Sequence, residues 1–157
     1  MIITENKSID QILINYRAVL KDDFQVYRNH VYRIYNYAII FDEDKSNHEK
    51  YAIAAAFHDI GIWTHSFDYL EPSIKLASEY LTKTGKQDWT KEVALLIDNH
   101  HKISVYKGDF QPTVEVFRKS DWIDVIMGVK RFGLDTLKYK AIQQQIYNKG
   151  FHWFLIK

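Results

Sequence analysis

Apolar residues along the chain recur at spacings of three and four, and sustained period-two alternation is scarce, so the pattern predicts helices rather than strands. Ser8-x-x-Gln11 has the form of a capping box before Ile9, Ile12, Leu13, Tyr16 and Leu20, which predicts a first amphipathic helix. Asp22-x-x-Gln25 repeats the device and opens a second helix on Phe24, Tyr27, Val31, Ile34 and Ala38, a stretch that also carries His30 and Arg33. After a polar loop at Asp42–Asn47, Ser46-x-x-Glu49 is placed to cap a third helix through Ala52-Ile53-Ala54-Ala55-Ala56, whose small side chains let helices pack closely. His58-Asp59 falls at the far end of that helix, and Gly61 is expected to be the left-handed residue that ends it.

A loop is expected over Ile62–Glu71, with Pro72 in the first turn of a fourth helix ending near Gly85. Asp88 or Thr90 begins a fifth helix that finishes around His100-His101, and Lys102–Gln111 reads as loop. Pro112 introduces a sixth helix bearing Val114, Phe117, Asp121 and Val125 before Gly128 and Gly133 disturb the pattern. A final helix is expected at Asp135–Lys149, ended by Gly150, with Phe151–Ile156 as an apolar tail that packs on its own chain or forms a homodimer contact. With no internal repeat or linker, these elements predict an all-α, compact helical bundle in which residues 1–157 form a single domain.

Composition narrows the function classes. Hydrophobic residues make up 46% and charged residues 26%, the balance of a soluble globular chain rather than a disordered one. The absence of cysteine removes disulfides, thiolate catalysis and sulfur-ligated metals, so any metal must sit on His, Asp or Glu. A net charge of +1 supplies no whole-molecule field for a nucleic acid polymer or an anionic membrane. No secretory signal is readable at the N-terminus, and the longest apolar stretches, such as Tyr51–Phe57, fall far below the ~20 residues of a membrane span. A cytoplasmic protein is the simplest expectation. The aromatic content, 15%, is expected to serve core and pocket walls rather than a base-stacking platform, with Trp63 and Phe67 as candidates to cover a substrate.

Four residues carry the candidate chemistry. His30, the pair His58-Asp59, and Asp121 lie far apart in sequence but each near the interior or end of an expected helix. Two imidazoles and two carboxylates form a hard-to-borderline donor set suited to a divalent ion such as Mn, Fe, Co, Ni, Zn or Mg, with positions left for water and substrate.

His58-Asp59-Ile60-Gly61 at a helix end, His30 within Arg28-Asn29-His30-Val31-Tyr32-Arg33, and Lys119-Ser120-Asp121-Trp122 on a later helix resemble the HD superfamily of metal-dependent phosphohydrolases, whose ordered pattern is H…HD…D. The resemblance implies a helical HD-like domain in which His30, His58, Asp59 and Asp121 hold a divalent metal. It also implies hydrolysis of a small phosphorylated substrate, for which nucleotides are candidates, with Asp59 in the catalytic centre. Arg33, three residues after His30, is the first cation expected to meet such a substrate, ahead of Lys102, Arg118 and Lys119. Because some two-metal relatives add histidines between the HD pair and the last Asp, His100 and His101 are candidates for a second metal. His65, in the loop after the HD pair, is a further candidate to contribute there, and Asp98 and Glu71 are candidates for general acid or base.

Departures from subgroup patterns also inform. Ile60-Gly61-Ile62-Trp63 lacks the nearby Glu of alarmone hydrolases and some deoxynucleotidases, and the Lys that follows HD-x-G in many cyclic-di-GMP phosphodiesterases and inositol oxygenases. A di-iron oxygenase, a hydratase-like HD protein and a non-catalytic ligand-binding domain remain the alternatives.

Overall fold

The computed structural model describes residues 1–65 and 68–148. The expectations for Phe67, for Gly150 and for the tail Phe151–Ile156 lie outside the described residues.

The first helix is capped differently from the expectation. Helix α1 spans Lys7–Ile14, and its cap is Asn6, whose side chain accepts a hydrogen bond from the Ile9 amide at 3.0 Å. Ser8 instead donates to Glu49 at 3.2 Å, tying α1 to a later helix. The chain then breaks, and a short α2, Arg17–Leu20, carries the rest of the apolar face.

Helix α3, Phe24–Phe41, begins without a side-chain cap, because Asp23 accepts from the Trp63 indole N–H at 3.0 Å. It is buried almost continuously from Tyr27 to Ala38, as expected of a central helix surrounded by others. Asp44 caps a 3-10 turn with its carboxylate on Ser46, and α4, His48–Phe57, follows with every residue from Tyr51 onward buried.

Gly61 does not end α4 in a left-handed conformation. It opens a short helix, α5, Gly61–His65, where a loop was expected. A Cβ at position 61 would collide with the Tyr69 carbonyl and lie 2.8 Å from Ser73 Oγ, so glycine is required here for close backbone approach. Gly85 does take a left-handed φ of 73°, after α6, Leu70–Lys83.

Helix α7 covers Thr90–Asn99, and α8, Gln111–Val125, starts beside Pro112 as expected. Helix α9, Thr136–Gln145, is capped by Asp135 and stops before the predicted Lys149. In the main core α3 packs on α4 and α8, while α4 also meets α1, α6 and α7. A smaller cluster of Tyr37, Ile123, Leu134 and Ile142 seats α9 against α3 and α8. No helix among the described residues is long and apolar enough to cross a membrane.

Candidate metal centre

The HD pair is held in place by an aromatic residue of the preceding helix. The Tyr27 hydroxyl donates to the Ala56 carbonyl at 2.8 Å and accepts from the Asp59 amide at 3.3 Å, pinning the turn at the end of α4 against α3. Immediately after it, the Gly61 amide donates to Ser73 Oγ at 2.9 Å, which anchors the turn on α6. The backbone carrying His58 and Asp59 is thereby fixed from both sides.

Three histidines each have Nδ1 committed to an oxygen. His58 Nδ1 lies 2.6 Å from the Ala55 carbonyl and His100 Nδ1 lies 2.5 Å from the Ile97 carbonyl. A carbonyl only accepts, so both rings carry a proton on Nδ1 and a neutral ring presents a lone pair on Nε2. His30 Nδ1 lies 2.7 Å from Asp124 Oδ2, a carboxylate that plays the same orienting part.

These rings bring His30, His58, Asp59 and Asp121 together, one donor atom from each lying within 4.8 Å of all the others, and every one of the four residues is buried. His58 Nε2 is 3.0 Å from Asp59 Oδ2 and 3.3 Å from Asp121 Oδ1. His30 Nε2 is 3.1 Å from His58 Nε2, 3.3 Å from Asp121 Oδ1 and 3.6 Å from Asp59 Oδ2. Ligands ~2.1 Å from one ion sit about 3.0 Å apart at right angles and about 3.4 Å apart at tetrahedral angles, so these separations fit a shared cation. Asp121 Oδ1 is buried and has the His30 and His58 Nε2 atoms at 3.3 Å without a well-formed hydrogen bond to either, a costly state for a carboxylate oxygen that an ion would relieve.

The protonation directions follow from the same geometry. Burial opposes charging of His30, but the facing carboxylates of Asp121, Asp124 and Asp59 hold its pKa well above 6.5. Burial likewise opposes charging of His58, and the adjacent Asp59 and Asp121 push it up to about 9. Burial would raise Asp59 and Asp121, yet the surrounding imidazoles hold both below the usual carboxylate range. The cluster therefore attracts positive charge to its middle.

Asp59 faces two ways. Its Oδ2 points to His30 and His58, while Oδ1 lies 3.3 Å from His100 Nε2. His100 is buried and has the Tyr69 hydroxyl at 3.5 Å. Both border a small pocket of about 130 Å³, which Asp59, Asp121, His101 and Trp122 also line. His101 is more exposed, its ring 5.7 Å from that of His100, so the structure places it at the mouth rather than among the donors.

Arg33 requires a correction. It is completely buried, with Nε 2.6 Å from Asp124 Oδ1 and Nη2 2.9 Å from Asp124 Oδ2, while Nη1 donates to the Tyr147 carbonyl at 2.8 Å. A guanidinium so enclosed positions Asp124, and through it His30, rather than meeting a substrate. Arg118 is similarly committed to Glu115 and to the carbonyls of Lys102 and Ile103. Lys102 is exposed near Asp98, at 3.8 Å. His65 and Glu71 line a separate cavity of about 530 Å³ with Tyr16 and Lys75. Trp63 packs on Tyr27 with ring centroids 4.9 Å apart, serving the bundle rather than covering a substrate.

Two residues escaped the sequence reading. Asp124 had a legible signal, since Asp121-x-x-Asp124 on one helix mirrors His30-x-x-Arg33 on another at one-turn spacing. Tyr69, in the stretch expected to be loop, had none.

Neither the comparison with curated proteins nor that with solved structures finds a match. The sequence profile of the HD domain matches residues 27–127, well over half of the chain and the whole interval from Tyr27 to the end of the Asp121 helix. The chain belongs to the HD domain family, whose members are mostly metal-dependent hydrolases.

Proposed function

We propose that this protein is a metal-dependent phosphohydrolase acting on a small phosphorylated molecule, with residues 1–157 working as one domain. The observation that carries the reading is the convergence of four buried donors on one point, with Asp121 Oδ1 making no well-formed hydrogen bond, beside a small pocket of about 130 Å³. His30, His58, Asp59 and Asp121 would hold the ion. A bound divalent cation supplies Lewis-acid polarisation of phosphoryl oxygens and makes a water more acidic.

The chain's own residues divide the remaining work. Asp59 is the catalytic carboxylate, since Oδ1 reaches the pocket while Oδ2 faces the imidazoles. Arg33 and Asp124 position His30 and touch no substrate. Burial, with Asp59 and Asp121 nearby, keeps the Tyr69 phenol protonated well above neutral pH, so its hydroxyl is available to donate to a phosphoryl oxygen in the pocket. Hydrolysis forms a bond from water oxygen to phosphorus and breaks the ester P–O bond, and the leaving oxygen departs with a proton as an alcohol.

A second reading rests on Asp59 Oδ1 and His100 Nε2, 3.3 Å apart on the outer side of the cluster. Asp59 and His100 would help hold a second ion there, and two irons would favour the di-iron oxygenase alternative. The test is metal analysis of chelator-free protein together with turnover of a phosphate ester, for the parent and Asp121→Asn. One equivalent of metal, lost in the variant along with phosphate release, is the expected result. Two equivalents of iron without phosphate release would move the assignment to the oxygenase, and no metal at all would leave a ligand-binding domain.

A further inference from the structure

Beside the metal centre runs a groove of about 390 Å³, bounded by the loop after α7 and the turn after α8. Its apolar wall includes Ile103 and Val105, which are 85% and 58% exposed, together with Trp122 and Phe132. Lys119 and Lys130 also line it, with no carboxylate among the described residues that do. Neither lysine forms an ion pair among the described residues, although Lys130 lies 4.8 Å from the Phe132 ring centroid. Arg118 also borders the groove, but its charge is taken up by Glu115.

Two features tie this groove to the centre. Trp122 lines both the groove and the pocket over Asp59 and Asp121, and it directly follows Asp121 on α8. Its indole N–H donates to the Lys102 carbonyl at 2.9 Å, so the shared wall is fixed in place. The far end is held under strain, because Phe132 sits at a φ of 51° and Met127 at 52°, an unfavourable region for bulky side chains. Arg131 braces that turn with donors to the Gly128 carbonyl and Thr136 Oγ1. Strain retained at a residue that faces an open groove is characteristic of a ligand clamp.

From this arrangement we infer that the groove is the leaving-group subsite, and that the substrate is a phosphate ester whose alcohol combines an apolar or flat ring body with a second anionic group. The inference rests on the hydrolase reading and narrows its substrate class. The scissile phosphate lies at the centre, the ring body passes Trp122 and covers Val105 and Phe132, and the second anion meets Lys119 and Lys130. Water attacks phosphorus, the ester P–O bond breaks, and the anionic alcohol leaves along the groove with a proton. A cavity of this size lies within the ~300–1,000 Å³ common for small-molecule sites.

Two measurements separate the groove from the chemistry. The first is binding of 6-hydroxy-2-naphthoate, followed by its fluorescence, to the full chain with and without manganese. The parent is expected to bind it, and affinity is expected to fall about tenfold in Lys119→Ala combined with Lys130→Ala, and at least as far in Val105→Asp. The second is the ratio of kcat/KM for 6-phosphonooxy-2-naphthoate to that for phenyl phosphate, expected to drop about tenfold in the same variants. Naphthoate binding that depends on these residues without turnover of either ester would sustain the groove and overturn the hydrolase reading. No binding by the parent, or affinity and ratio unchanged across the variants, would overturn the groove. Light scattering adds one more refutation: a parent dimer made monomeric by Val105→Asp, with naphthoate affinity retained, would make this face an interface between copies.

Discussion

Asp124→Asn is the most demanding test of how the centre is supported. The carboxylate receives Arg33 through two contacts of 2.6 and 2.9 Å and His30 Nδ1 at 2.7 Å, and both Arg33 and Asp124 are buried. Burial alone would raise the Asp124 pKa, but Arg33 and His30 hold it below the usual carboxylate range, so the folded protein carries it as an anion. Asparagine keeps the shape and removes the charge. It also turns one acceptor into an N–H₂ group facing a guanidinium or an imidazole N–H, both of which are donors.

Leaving a buried charge without its partner costs about 3–5 kcal/mol. For a chain of this length each kcal/mol lowers Tm by roughly 2–4 °C, so a loss of about 6–20 °C is expected. Thermal melting followed by circular dichroism, in the presence of a chelator, isolates the folding contribution from any metal. Arg33→Met on the Asp124→Asn background should recover part of the loss, with a coupling of about 1–3 kcal/mol in the double-mutant cycle. Metal affinity should fall about 10- to 100-fold in Asp124→Asn, because His30 loses the group that orients it. A variant melting within about 2 °C of the parent, or two substitutions that simply add, would refute the account of Arg33 as a buried support.

Gly61→Ala should destabilise the protein by about 1–3 kcal/mol in urea unfolding, because the added methyl meets the Tyr69 carbonyl and Ser73 Oγ; an unchanged midpoint would mean that α5 can shift away. Asp42 supplies a pH test. Burial works against its ionisation, but hydrogen bonds from Tyr51, Asn47 and the Asp44 amide lower its pKa. A lowered carboxylate pKa adds stability above the unfolded value of about 3.9 and loses it as pH falls through the folded value. The Tm difference between parent and Asp42→Asn should therefore be largest near neutral pH and shrink below about pH 4, and a difference independent of pH would remove Asp42 from that role.

Much of this architecture was legible because helices leave a strong periodic trace. The spacing of Val114, Phe117, Asp121 and Val125 located α8, and Pro72 and Pro112 marked the starts of α6 and α8 closely. Capping was less legible, since several polar residues compete near each helix start. Asn6 won over Ser8 because Ser8 has Glu49 as a partner from α4, a contact that only the fold creates. The role of Gly61 is hidden for a similar reason, as its need for space comes from Tyr69 and Ser73 rather than from its own backbone angle. The donor cluster itself could be named from the order H…HD…D. The fate of Arg33 could not, because one-turn spacing from His30 says which face it shares and not whether that face meets solvent or another helix.

That distinction explains why the site and the core share an interface. Among Asp59, Asp121, Asp124 and Arg33, three buried carboxylates face one buried guanidinium, leaving two negative charges for the histidines or an ion to offset. Arg33 lies on the Asp124 side and neutralises it there, so the uncompensated charge gathers at Asp59 and Asp121, where His30 and His58 turn their Nε2 atoms. A divalent cation matches that residue of charge and the donor spacing together. Replacing Arg33 by a neutral side chain would leave Asp124 as a third uncompensated negative charge against His30, so the cation that never reaches substrate determines where the positive charge of the centre is needed.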